Sequence, residues 1–118
     1  MVEFIDGPAL GQVLCLRRAP KLLRAVRGPR GKWDALDRLG DAPQPNETVY
    51  VYARQGRPSH VHLCIHDKKG RPAGGWYAVA SYRLCAEQPD DAAARDTALW
   101  REWAVAHAAT VPTEGERP

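Results

Sequence analysis

TVYVYARQGRPSHVHLCIH, residues 48–66, is the most strongly patterned part of the chain. Apolar side chains alternate at Val49, Val51 and Ala53, and again at Val61, Leu63 and Ile65. Between them stand Tyr50, Tyr52 and Arg54, then His60, His62, Cys64 and His66. A period of two is the signature of a strand with one buried face. The break at Gln55-Gly56-Arg57-Pro58-Ser59 carries turn residues, so the spacing predicts an antiparallel hairpin with a five-residue loop. Both apolar sets fall at odd positions, and one register puts them on the same face, with Tyr52 opposite His62 and Tyr50 opposite Cys64. The rest of the chain reads as a cover for that face.

Before the hairpin, residues 2–5 form a short strand ended by Asp6-Gly7-Pro8, and residues 12–17 resume the alternation until Pro20 stops it. Residues 21–27 are read as a strand, because Pro20 and Gly28-Pro29 leave little room for a helix. Residues 32–39 are read as a short helix, with Trp33, Leu36 and Leu39 three apart and Gly40 at the C-cap position. Residues 76–85 form a further strand. Pro89-Asp90-Asp91 opens a final helix to about His107, with Asp91 and Arg95 spaced as an ion pair. Its inward stripe is read as Leu99, Trp103 and Ala106, with Trp100 at the edge. The fold class is therefore α+β: an antiparallel sheet of about five strands, with a short helix and a C-terminal helix packed on one face. A chain of 118 residues suits a single domain, expected over 1–109 with a frayed tail over 110–118.

Composition narrows the function classes. No run is long and apolar enough for a membrane span, and the N-terminus lacks the layout of a signal peptide. Three cysteines without paired spacing do not make a disulfide framework, so a cytoplasmic protein is expected. The formal charge is +3, yet Arg17, Arg18, Lys21, Arg24, Arg27, Arg30 and Lys32 fall in one run without an acid. That run could be a footprint for the phosphates of a nucleic acid, although a solvated face is the plainer reading.

Phe4-Ile5-Asp6-Gly7-Pro8, Leu16-Arg17-Arg18-Ala19-Pro20, Gly31-Lys32-Trp33-Asp34-Ala35-Leu36-Asp37, Gly75-Trp76-Tyr77 and the Trp100/Trp103 pair span most of the chain. In this series the chain resembles an uncharacterised small-protein family of actinobacteria and their phages. The resemblance implies a phage or mobile-element accessory protein and brings no activity with it.

The candidate chemistry lies on the second half of the hairpin. His60, His62, Cys64 and His66 share a strand face, and imidazole and thiolate are zinc ligands. At ~3.3 Å per residue the outer two lie too far apart for one ion, so His60, His62 and Cys64 are the candidate metal ligands and need a partner from elsewhere. His60-Val61-His62-Leu63 also resembles the nucleophile strand of the histidine-triad hydrolases, with Cys64 at the third histidine, which implies His62 as nucleophile in a phosphoesterase. Neither pattern is complete. The sequence supports a small non-catalytic interaction module that binds an unidentified protein, with Tyr50, Tyr52 and Trp100 as the partner surface. No cofactor is expected. The alternatives are nucleic-acid binding through residues 17–32 and a metal or phosphoesterase site at His60 and His62.

Overall fold

The computed structural model describes residues 1–108. It is an α+β domain with six strands and two helices: β1 (Val2–Phe4), β2 (Val13–Leu14), β3 (Leu22–Arg27), β4 (Trp33–Leu36), β5 (Thr48–Leu63), β6 (Gly75–Leu84), α1 (Asp91–Arg95) and α2 (Thr97–Ala108). The sheet order is β2-β1-β6-β5-β3-β4. Pairing is antiparallel except between β1 and β6, which are parallel. The sixth strand and the parallel pair depart from the expected sheet of about five antiparallel strands. The tail expected over 110–118 lies outside the described residues, as does position 109. No described helix is long and apolar enough to cross a membrane.

The sheet curls until it is nearly barrel-shaped. Its inner face gathers Val2 and Phe4 from β1, Leu23 and Ala25 from β3, Tyr52 from β5, and Ala78 and Tyr82 from β6. Leu14 and Leu16, on and just after β2, pack on the same cluster as Trp33 and Ala35 of β4, so both edges of the sheet serve one interior. Two tyrosines fill the middle and find polar partners at the rim, as buried hydroxyls must. Tyr52 donates to the Asp6 carbonyl at 2.9 Å and accepts from the Ala9 amide at 2.9 Å. Tyr82 donates to the Pro20 carbonyl at 2.5 Å.

The outer face carries a smaller core of Leu22, Val51, Trp100 and Ala104. β3 is therefore covered on both sides, which accounts for its unbroken run of buried residues. At its centre lies Arg24, fully buried. Its guanidinium donates to the Ala94 carbonyl at 2.9 Å and the Asp41 carbonyl at 2.6 Å, and lies 4.7 Å from the centre of the Trp100 ring. Burial pulls its pKa down to about 10, against the opposing charge of Asp41, so it stays protonated at neutral pH. One cation thus ties the sheet to α1, α2 and the 37–47 loop.

Three expectations are corrected. Residues 32–39 are not a helix: Trp33–Leu36 is strand β4, paired with β3 so that Trp33 lies opposite Arg27. The turn decides this. The Gly28 amide donates to the Lys32 carbonyl and the Gly31 amide to the Gly28 carbonyl, both at 2.9 Å, with Gly31 at φ +83°. That is a three-residue hairpin loop with a left-handed glycine, and it returns the chain against β3.

The final helix is also two helices, because Asp96 is extended at ψ 126°. The Asp90 carboxylate caps α1 through the Ala93 amide at 2.8 Å, and the Asp96 carboxylate accepts from the Leu99 amide at 3.0 Å at the start of α2. The expected Asp91–Arg95 ion pair forms at 2.8 Å. Restarting the helix at Thr97 rotates the buried stripe to Trp100 and Ala104, leaving Leu99 44% exposed and Ala106 exposed. Trp103 is half-buried and stacks between Trp100 and His107.

The third correction concerns residues 48–66. They are not a hairpin: 48–63 is one strand, and residues 55–59 are a bulge within it. Gln55 lies opposite Ser81 and Ser59 opposite Val79, so two extra residues are absorbed, with Gly56 at φ +77°. Pro58 is tolerated because it falls within the bulge and beyond the β3 ladder, whose last residue on β5 is Ala53. The expected cross-strand pairs are replaced by Tyr52 with Leu84 and His62 with Trp76.

Candidate functional site

The true partner of β5 is β6, and their ladder runs well past the barrel. Beyond the bulge the pairs are Ser59–Val79, His60–Ala78, Val61–Tyr77, His62–Trp76 and Leu63–Gly75. The same register continues outside the named strands: the Ala73 amide donates to the Ile65 carbonyl at 2.8 Å, His66 bridges Pro72, and the Asp67 amide donates to the Arg71 carbonyl at 2.9 Å. The turn is Lys68-Lys69-Gly70. The Gly70 amide donates to the Asp67 carbonyl at 3.0 Å, and Gly70 has φ +76°. This repeats the loop between β3 and β4.

The two loops share a glycine at the third position and a base after it, Gly31-Lys32 and Gly70-Arg71. That shared pattern is the signal in the sequence that identifies both turns. Gly74 is needed for a different reason, since a Cβ there would collide with the Leu63 carbonyl across the ladder.

Residues 59–79 thus form a two-stranded arm, with nine residues (59–67) on its outgoing side, roughly 25–30 Å of extended chain. Around Ala78 its base is held to the barrel: the Ala78 amide donates to the Leu16 carbonyl at 2.9 Å, and the terminal ammonium donates to the Ala78 carbonyl. Arg17 lies 4.4 Å over the Tyr77 ring. Farther out, side chains are open to solvent. Trp76 is 62% exposed, Ile65 43% and Val61 36%. His60, His62, Cys64 and His66 are all exposed, and the His62 and Trp76 rings meet edge-on at 5.3 Å. Period-two alternation survives along the arm, with the histidines and Trp76 on one face and Val61, Leu63, Ile65 and Tyr77 on the other.

At the tip, Asp67 is occupied by its own turn. Its carboxylate accepts from the Lys69 and Arg71 amides at 2.9 and 3.0 Å and pairs with the Arg71 guanidinium at 2.8 Å. The Arg71 amide, the Lys69 amide and the Arg71 side chain hold its pKa below the usual carboxylate value. Lys68 and Lys69 project beside it, exposed, without an ion-pair partner among the described residues.

The structure redistributes the residues singled out from sequence. Tyr52 and Trp100 are buried and cannot form a partner surface, while Tyr50 is half-buried against Trp33 at 5.9 Å. The run 17–32 is not one surface. Arg24 is inside, Arg27 lies over Trp33, and Arg30 and Lys32 sit at the β3–β4 turn, at the opposite end of the sheet from the arm. Only Arg17 reaches the arm, its Nη1 3.5 Å from the Trp76 carbonyl; Arg18 is exposed beside it in sequence and Lys21 is half-buried.

His60, His62 and Cys64 stay in line on one strand, and nothing converges on them. Among the described residues no group of three or more His, Cys, Asp or Glu side chains could hold a metal ion. None of the three arm imidazoles has a hydrogen-bond or ion-pair partner there, so His62 lacks the orienting base of a nucleophilic histidine. Trp76, Ile65 and the tip lysines are what the sequence reading missed.

A concavity of about 340 Å³ lies between α2 and the outer sheet face, against Leu22, Ala53, Cys85, Trp103 and His107. His107 faces Glu87 at 3.5 Å, and burial pushes the Cys85 thiol up, which suits a packed thiol rather than a nucleophile. No protein-family model, curated protein or solved structure matches the chain.

Proposed function

We propose that the chain is a small non-catalytic interaction module that holds a macromolecular partner through the β5–β6 arm. The observation that carries this reading is the arm itself. It is a regular hairpin extended past the core, with Trp76, Ile65 and Val61 exposed on its outer part, which belongs to neither core among the described residues. Apolar and aromatic side chains displayed on a projecting element mark contact surfaces, and a large aromatic is the residue type that most often dominates binding energy. The β3 ladder on β5 also ends at Ala53, so the outgoing strand of the arm, from Ser59 on, has β6 as its strand partner among the described residues and an edge on its other side.

A shortened variant tests this. Replacing residues 64–74 by Asn-Gly closes the hairpin directly at the Leu63–Gly75 pair and leaves both cores intact. The variant is expected to melt like the parent chain while losing every protein or nucleic acid that the parent captures from cells expressing it. A shortened chain that captures the same partners equally well would refute the reading.

A further inference from the structure

Given the arm as contact surface, we propose that its partner is a second copy of the chain, added antiparallel along the free edge of β5 so that two arms make one four-stranded sheet. The phase of the ladder carries the argument. Ala78 turns both backbone groups away from β5, donating its amide to the Leu16 carbonyl and accepting the terminal ammonium at its own carbonyl. His60, directly opposite, therefore turns its amide and carbonyl away from β6. At the far end the Ile65 carbonyl and the Asp67 amide are bonded to the returning strand, so His66 between them faces outward too. His60, His62, Cys64 and His66 thus line the open edge with N–H and C=O groups that have no protein partner among the described residues.

The opposite edge is closed. On β6, Ala78 is taken by Leu16 and the N-terminus, Arg17 reaches the Trp76 carbonyl at 3.5 Å, and Pro72 has no N–H to offer. Exposed edges are ordinarily guarded by a lysine, an acid or a proline. Residues 59–66 contain no lysine, arginine, aspartate, glutamate or proline, and every one but Leu63 is exposed.

This edge is also its own complement. With a two-fold axis at Leu63, outward-facing residues meet outward-facing residues and all nine positions of 59–67 pair. On one face Leu63 then meets Leu63 of the second copy and Val61 meets Ile65; on the other His62 meets Cys64 and His60 meets His66. Sliding by two residues sets Ile65 against Ser59 or Val61 against Asp67, so the apolar pattern selects one register. A ribbon of two strands is marginal in water by itself, and a third and fourth strand supply what it lacks. An unstructured peptide must be ordered to add a strand, whereas a second arm is already extended and in phase. Because the β6 edge is blocked, addition stops at two copies.

The test is the mass of the full chain by sedimentation equilibrium over a concentration series, with twice the chain mass of 13.1 kDa expected at the upper end. His62→Pro removes only an amide that faces the open edge, keeps the β6 ladder, and should return the mass to that of one chain. His62→Lys/Cys64→Lys should do the same with the backbone unaltered, because lysine then faces lysine across the axis. In a Cys15→Ser/Cys64→Ser chain, Leu63→Cys should join two copies by a disulfide under mild oxidation, since the Cα atoms of a non-hydrogen-bonded pair lie about 4.5 Å apart. Val61→Cys in the same chain, roughly 13 Å along the ladder from its counterpart, should not. A parent of single mass at every concentration overturns the inference, as does a dimer that survives both edge variants or a Leu63→Cys chain that stays unlinked. If the parent is single yet arm-dependent capture of another molecule persists, the interaction-module reading stands and the second-copy assignment fails; if neither is seen, both fail.

Discussion

Trp100→Ala should be the most damaging single change on the outer face. The side chain is 3% exposed, seated on Leu22 and Val51, with the Arg24 guanidinium over its ring at 4.7 Å. A tryptophan buries about 150–250 Å², which at ~25 cal/mol per Å² corresponds to about 4–6 kcal/mol. Measured large-to-small core changes of this kind cost about 3–5 kcal/mol. Loss of the ring also strips a desolvated cation of its π-face, a contact worth up to about 2 kcal/mol that overlaps the first term. A net loss of about 4–5 kcal/mol follows, against a total of ~5–15 for a domain. Trp103, half-buried and leaning on its neighbours, should cost about 1–2 kcal/mol on the same area argument. Urea melts of the two variants, followed by far-ultraviolet circular dichroism, separate them. With a slope of ~1.5–2 kcal/mol per molar, Trp100→Ala moves the midpoint down by roughly 2–3 M and Trp103→Ala by less than about 1 M. If Trp103→Ala is the more destabilised, α2 packs with the other stripe inward and the outer core is misassigned.

Gln88 stands in for a missing strand: its amide accepts from the Val51 N–H and donates to the Val51 carbonyl, both at 2.8 Å, so Gln88→Ala should cost about 1–3 kcal/mol in the same melts. Gly74→Ala should leave the barrel folded but speed amide exchange across residues 59–79 by about tenfold or more, because only the arm's ladder is struck; exchange unchanged there would contradict the continuous register. Burial pushes the Tyr82 hydroxyl above its ordinary value, against the pull of Arg54. Its contribution is therefore complete below the unfolded value, about 10, and is lost as pH rises toward the folded one. The stability advantage of the parent over Tyr82→Phe should be constant up to about pH 10 and shrink above it; an advantage that persists above pH 11 would show that the hydroxyl is not held neutral in the interior.

What the sequence disclosed followed from local periodicity and capping. The strand at residues 22–27, the α+β class, the Asp91–Arg95 pair and the sharing of one face by the histidines all rest on neighbours a few residues apart. What it concealed depended on long-range pairing. Gln55 to Ser59 carry turn chemistry, yet β6 is long enough to run past them, so the loop residues became a bulge. Trp33, Leu36 and Leu39 have helical spacing, but β3 lacked an edge partner and the Gly31 turn supplied one. Trp100 and Trp103 were exchanged because a single extended residue, Asp96, resets the helical phase. Arg24 is the clearest case: an arginine within a basic run reads as surface, and the carbonyls of Ala94 and Asp41, with the Trp100 ring, make its burial tolerable.

Whether the arm is the contact surface can be measured directly in cells. A photoreactive phenylalanine analogue placed at Trp76, on the arm, is compared with one at Val105, on the exposed side of α2. After irradiation, a covalent adduct to the partner is expected from position 76 and none from position 105. Adducts from position 105 with none from position 76 would place the contact on the helical side and contradict the assignment.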